Sequence, residues 1–170
     1  MSLAWERPWT SGPEPWTLDS ELLIRGAIIA NLMAPSIDAV MRRMLAKGFR
    51  AGSPATEVQV RALERRTGPL PEDYRSFLLT FGGGEPDAPE AWRGLWRLED
   101  LWSLNGRYHL QQNFPGLLAI GNQAFMLYAL DLNDPDATPL VSLGLSSSVW
   151  GDVLKEAESF TEWLDYIVPK

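Results

Sequence analysis

The stretch from Gly68 to Gly84 leaves the backbone few choices. Pro71 has no N–H to lose and a φ preset for a helix, so it suits a first helical position. Glu72 and Asp73 follow it, where carboxylates favour the positive end of the helix dipole. Tyr74, Phe77, Leu78 and Phe81 recur at helical spacing and make one apolar face. Gly82-Gly83-Gly84 then stops the run, as glycine does past a helix C-terminus. A glycine-rich turn cradles phosphate when it opens a helix. This one closes a helix and no Lys follows it, so it reads as termination.

Further helices flank that segment. Ser36 is placed to cap a helix whose stripe is Ile37, Val40, Met41, Met44 and Leu45, with Gly48 as its stop. Thr56 and Gln59 form a capping box ahead of Val60, Leu63 and Thr67, and Gly68 ends that helix. Ser159 and Glu162 repeat the pattern before Phe160, Trp163, Leu164 and Ile167, the inner face of a terminal helix.

Strand chemistry fills the middle. Residues 85–91 read as an acidic, Pro-rich loop, Arg93 to Leu98 as a strand and Leu98 to Leu104 as a short helical turn. Asn105-Gly106 is a turn signal. Leu117 to Ile120 and Phe125 to Leu132 are apolar strands, with Gly121-Asn122-Gln123 as a hairpin connection. Asp131 to Asp136 reads as a polar turn, Pro139 to Leu143 as another strand and Ser146 to Ser148 as a flexible polar run. Helices, then strands, then a helix predict an α+β domain. Its sheet is expected to be antiparallel or mixed, to lie in the second half, and to pack against N-terminal helices and a C-terminal helix. Residues 1–17 read as an irregular arm whose Trp5, Trp9 and Trp16 pack on the body. Residues 19–34 read as a helix ended by Pro35, with a strand at Leu22 to Ile24 as the alternative. The expected organisation is an N-terminal arm and extra helix over 1–35 and one domain over 36–168.

Composition narrows the chemistry. With no Cys among 170 residues, disulfides, thiolate metal sites and thiol catalysis are excluded. A single His, His109, excludes a multi-histidine metal site and leaves one candidate base for a Ser-His-Asp arrangement. The net charge of −7 arises wholly after residue 85. Such a chain repels phosphate backbones and attracts basic partners, so direct nucleic-acid binding is not expected. Residues 37–66, by contrast, are net basic, Arg42, Arg43, Lys47, Arg50, Arg61, Arg65 and Arg66 outweighing Asp38, Glu57 and Glu64. No basic, apolar leader opens the chain and the run Leu22 to Pro35 is short and broken by Arg25, Gly26 and Asn31. A cytoplasmic protein without a membrane span is the expectation.

No motif supplies catalysis. Asp131, Asn133, Asp134 and Asp136 resemble a calcium loop only in part, since Pro135 and Asp136 occupy the positions needing an oxygen ligand and Gly. Ser146 to Ser148 lack the Gly-x-Ser-x-Gly elbow that would pair a nucleophile with His109. Glu99-Asp100 and Glu156/Glu158 have nothing that sets a working carboxylate separation. A small hydrolase built on His109 or a carboxylate pair is therefore set aside, and no cofactor or metal is expected. What remains is a surface of Trp92, Trp96 and Trp102 beside Glu85, Asp87, Glu90, Glu99 and Asp100, although core packing is the favoured account of the Trp residues. On charge and expected exposure, the candidate partner-binding residues are Glu85, Asp87, Glu90, Trp92, Asp131, Asp134 and Asp136.

Several pieces in order resemble one family. They are Ala55-Thr56-Glu57 through Leu63-Glu64; Gly68-Pro69-Leu70-Pro71-Glu72-Asp73-Tyr74-Arg75-Ser76-Phe77-Leu78; and Phe81-Gly82-Gly83-Gly84. Phe114 to Asn122, Leu127 to Asp131 and Ala157 to Leu164 follow. Together, over about residues 36–167, they resemble the SUKH superfamily. The chain departs from that pattern at Asn122-Gln123-Ala124 and has no counterpart for its first 35 residues. The resemblance implies a binding protein without a shared catalytic residue. Many bacterial members look like immunity proteins that neutralise toxins, often nucleases or deaminases, and yeast cell-wall synthesis regulators act as scaffolds. The expected function is thus an immunity protein binding a basic cognate toxin, with a regulatory or scaffolding interaction domain as the alternative.

Overall fold

Seven strands make one antiparallel sheet in which each strand pairs with the next along the chain, β1-β2-β3-β4-β5-β6-β7. The computed structural model describes residues 35–87, 94–134 and 137–170. The expected arm and the helix over 19–34 lie outside the described residues, as do Glu90, Trp92 and Asp136. The described elements run α1 (Ile37–Ala46), β1 (Phe49–Ala51), α2 (Glu57–Thr67), α3 (Glu72–Phe81), β2 (Gly84–Pro86) and β3 (Gly94–Leu95). They continue with α4 (Leu98–Arg107), α5 (Leu110–Asn113), β4 (Leu117–Gln123), β5 (Met126–Asp131), β6 (Leu140–Gly144), a 3₁₀ turn at Trp150–Asp152, β7 (Leu154–Ala157) and α6 (Phe160–Ile167). This is the expected α+β architecture. The sheet is wholly antiparallel and begins in the first half of the chain, because β1 and β2 flank the α2–α3 pair.

The helix signals act as their chemistry dictates. Ser36 accepts the Ala39 N–H at 3.3 Å. The Thr56–Gln59 box closes in both directions, at 3.3 Å and 2.8 Å. Ser159 accepts from Glu162 N–H, while the Glu162 carboxylate reaches the N–H of Glu158. Gly82 ends α3 in the left-handed region at φ 62°, and Pro71 sits one place earlier than expected, at the N-cap. Leu45 departs from the predicted stripe: Val40, Met41 and Met44 are buried, whereas Leu45 is exposed.

The strands β4 to β6 read as continuous apolar runs because both faces of the sheet are covered, a pattern more usual in parallel sheets. Leu118, Ile120, Tyr128, Leu130 and Leu140 face α1, α2, α3 and α6 through Met44, Leu63, Phe77 and Trp163. Leu117, Ala119, Leu127, Ala129, Val141 and Leu143 face Leu110, Phe114 and Val153 on the opposite side. Phe77 meets Phe160 and Phe81 edge to face, at 5.3 Å and 5.7 Å between centroids. Tyr74 lies at 4.9 Å from Phe160, and burial pushes its hydroxyl pKa well above the ordinary tyrosine value.

Four local expectations are corrected. Asn105-Gly106 makes no turn; both residues lie in α4, which runs through to Arg107. The Asn105 side chain is fully buried and pairs with β4: its Nδ2 donates to Ala119 O at 2.8 Å, its Oδ1 accepts from Ala119 N at 2.9 Å. A third bond, Nδ2 to Leu101 O, completes the carboxamide. Gly121-Asn122-Gln123 is likewise not the hairpin connection but the end of β4. The turn is Ala124-Phe125, closed by the pair Gln123↔Met126, with Ala124 at φ 48°. Gly121 serves instead for close approach: a Cβ there would collide with the Gly94 carbonyl of β3. Finally, the strand expected over Arg93 to Leu98 is confined to Gly94–Leu95 in the described residues, and the loop expected from residue 85 starts as β2.

A candidate protein-interaction groove

Where β2 and β3 join through the single pair Gly84↔Leu95, the surface opens into a groove of about 460 Å³. It is lined from β1 by Arg50, from β2 by Glu85, from β3 by Gly94, from the start of α4 by Arg97 and Asp100, and from β4 by Asn122, with Trp96 between β3 and α4. At Gly94 a Cβ would meet no described residue within 4 Å.

The aromatic wall is held from two sides. The Trp96 Nε1–H donates to Asn122 Oδ1 at 2.8 Å, and its ring stacks on Tyr108 at 5.9 Å with planes 15° apart. Its backbone N–H donates to Ile120 O at 2.8 Å, continuing the line of β3 along β4. Arg50 supplies the charge at the rim. Its Nη2 lies 3.1 Å from Glu85 Oε1 and its Nε 3.0 Å from Asp87 Oδ1. Asp87 is fixed by its own N–H, which donates to Gly48 O at 2.7 Å. Arg97 and Asp100 are exposed and form no ion pair with another described residue.

The expected partner-binding residues thus separate. Glu85 and Asp87 are exposed and share Arg50. Asp131 is buried, and its carboxylate accepts from the Asn133 backbone N–H and side chain at 3.1 Å and 2.7 Å. The expectation that the whole 131–136 cluster faces solvent is corrected at that residue: it closes the turn after β5. Asp134 is exposed. The two acidic stretches are not neighbours. Asp131 pairs with Leu117, whereas β3 joins β4 at Gly121 and Asn122, about 15 Å along the strand at ~3.3 Å per residue. Arg50, Arg97 and Asn122 were not legible as site residues. They stand in separate elements, and only the net-basic composition of 37–66 hinted at Arg50.

Other charged groups are engaged in holding the fold. Arg75 of α3 reaches Glu57 and Glu64 of α2, and its hydrogen bond to Glu57 raises its pKa further. Arg43 of α1 binds Asp165 of α6 at 2.6 Å. His109 sits at φ 55° between α4 and α5, with Nδ1 3.1 Å from Gln112 Oε1. Among the described residues no group of three or more His, Asp or Glu is placed to hold a metal ion, and no helix is long and apolar enough to cross a membrane.

The sheet wrapped on both faces and the charged groove at its β2–β3 junction define an α+β domain. The chain belongs to the SMI1 / KNR4 family (SUKH-1), whose sequence profile matches residues 54–166, from the start of the α2 capping region to the end of α6. No curated protein matches the chain in sequence.

Proposed function

We propose that this chain is a non-enzymatic binding module, an immunity protein that neutralises a cognate bacterial toxin in the cytoplasm by direct binding. Membership of the SMI1 / KNR4 family (SUKH-1) over residues 54–166 carries the reading. The charge supports it. The net charge of −7 lies entirely in the second half of the chain, and a toxin acting on nucleic acid, such as a nuclease or deaminase, is commonly basic. Opposite charge speeds encounter and makes association sensitive to salt. The groove beside Glu85 and Asp87 is the surface assigned to the partner.

A growth assay tests this directly. The reading frame adjacent to this gene is induced in a bacterial host with and without the chain. Killing that the chain relieves supports immunity. Killing that persists with the folded chain present, or a harmless neighbour, overturns it and favours the scaffolding alternative.

A further inference from the structure

We propose that Asn105-Gly106 is a covalent modification site that the fold holds closed: the pair converts to aspartate or isoaspartate in chains that unfold, and the product cannot rebuild the native contact between α4 and β4. The inference is independent of the immunity reading. Asn-Gly occurs once in the 170 residues. In such a pair the backbone nitrogen reaches the preceding carboxamide most freely, because glycine places no Cβ beside the attacking atom. The Gly106 nitrogen loses its proton and bonds to Asn105 Cγ. The Cγ–Nδ2 bond breaks, and Nδ2 takes up a proton and leaves as ammonia. Water then opens the succinimide at either carbonyl, giving aspartate or isoaspartate.

Three observations close this route in the native chain. Asn105 is fully buried, which keeps water from the carboxamide. Its Nδ2 donates to Leu101 O and Ala119 O, both at 2.8 Å, and its Oδ1 accepts from the Ala119 N–H at 2.9 Å, so the group is held away from the Gly106 nitrogen. Both residues lie within α4, where side chains tilt toward the helix N-terminus and N–H groups run along the axis. The same contacts make the change one-way. An aspartate at 105 sets an oxygen where Nδ2 met two carbonyls, so a buried acceptor faces acceptors. Isoaspartate also adds a methylene to the backbone of α4.

The test incubates the full chain at mildly alkaline pH over a urea series. Conversion at residue 105 is followed by peptide mass mapping, with isoaspartate separated by chromatography. The rate is expected to track the unfolded fraction and, without urea, to fall about 10³-fold or more below that of the unfolded chain. Asp73→Ala, which releases Thr161 of α6, should speed conversion without urea by about 5- to 150-fold, in step with its unfolding constant. Gly106→Ala should slow conversion severalfold in full urea, where the fold plays no part. Asn105→Asp, one of the products, should unfold at lower urea than the wild type. Native chain that converts at the unfolded rate overturns the proposal. So does a native rate unmoved by D73A, which puts the opening in α4 alone, and so do converted chains that refold with the wild-type midpoint.

Discussion

Asp73, in the first turn of α3, accepts both the backbone N–H and the hydroxyl of Thr161, in the first turn of α6, on its Oδ2 at 2.8 Å and 2.9 Å. The two residues are 88 positions apart in the chain. The carboxylate therefore caps a helix it does not belong to, and pins the last element of the domain to the aromatic face of α3. Asp73→Ala is expected to cost about 1–3 kcal/mol, the range for losing a cap and a charge-assisted pair. A urea-denaturation cycle with Thr161→Ala checks it: the two losses should fall well short of adding.

Asn105 carries a larger share. Its carboxamide completes β4 at Ala119, where β3 has already ended, next to the register shift between Ala119 and Gly121. Asn105→Leu buries the Ala119 N–H and carbonyl without partners, at a cost of about 2–4 kcal/mol. Chemical denaturation reads the loss, and hydrogen exchange at the Ala119 amide should accelerate beyond the global change.

Two glycines should respond in opposite directions to the same methyl group. Gly121→Ala drives a Cβ into the Gly94 carbonyl and should destabilise by about 2 kcal/mol or more. Gly106→Ala, inside α4 with no described residue within 4 Å of the added Cβ, should stabilise by about 0.5–1 kcal/mol through helix propensity and a stiffer unfolded chain. Thermal melts of the two variants decide, with Tm moving down in the first and up in the second.

Tyr74 sets an alkaline limit. Burial raises its hydroxyl pKa in the folded state, while the unfolded value stays near the ordinary ~10. The neutral phenol is thus favoured by folding. Its contribution is complete below pH ~10 and declines above it, by up to ~1.4 kcal/mol per pH unit. Urea midpoints at rising pH should fall in the wild type and fall less in Tyr74→Phe.

The helices were legible because their signals are local. Ser36, the Thr56–Gln59 box, Ser159 and Gly82 each act within four residues of the position they cap. The apolar runs of β4, β5 and β6 were legible too, since burial on both faces leaves few polar interruptions. Strands β1 and β2, of three residues each, escaped because such lengths carry no periodicity, and β3, of two residues, lies inside the longer strand read over Arg93 to Leu98. Asn105-Gly106 and Gly121 misled for one reason: residues that favour turns also suit close approach and buried hydrogen bonding.

The amino-acid sequence alone determined the capped helices, the apolar strands, the α+β class and the family, all of which follow from patterns within a few residues or from motifs in fixed order. Only the tertiary structure decided the groove. Arg50 meets Glu85 because β1 and β2 pair across the whole α2–α3 insertion, and Trp96 meets Asn122 across the α4–α5 insertion. Side-chain partners 35 and 26 residues apart leave no local trace, so these contacts exist only once the sheet has closed.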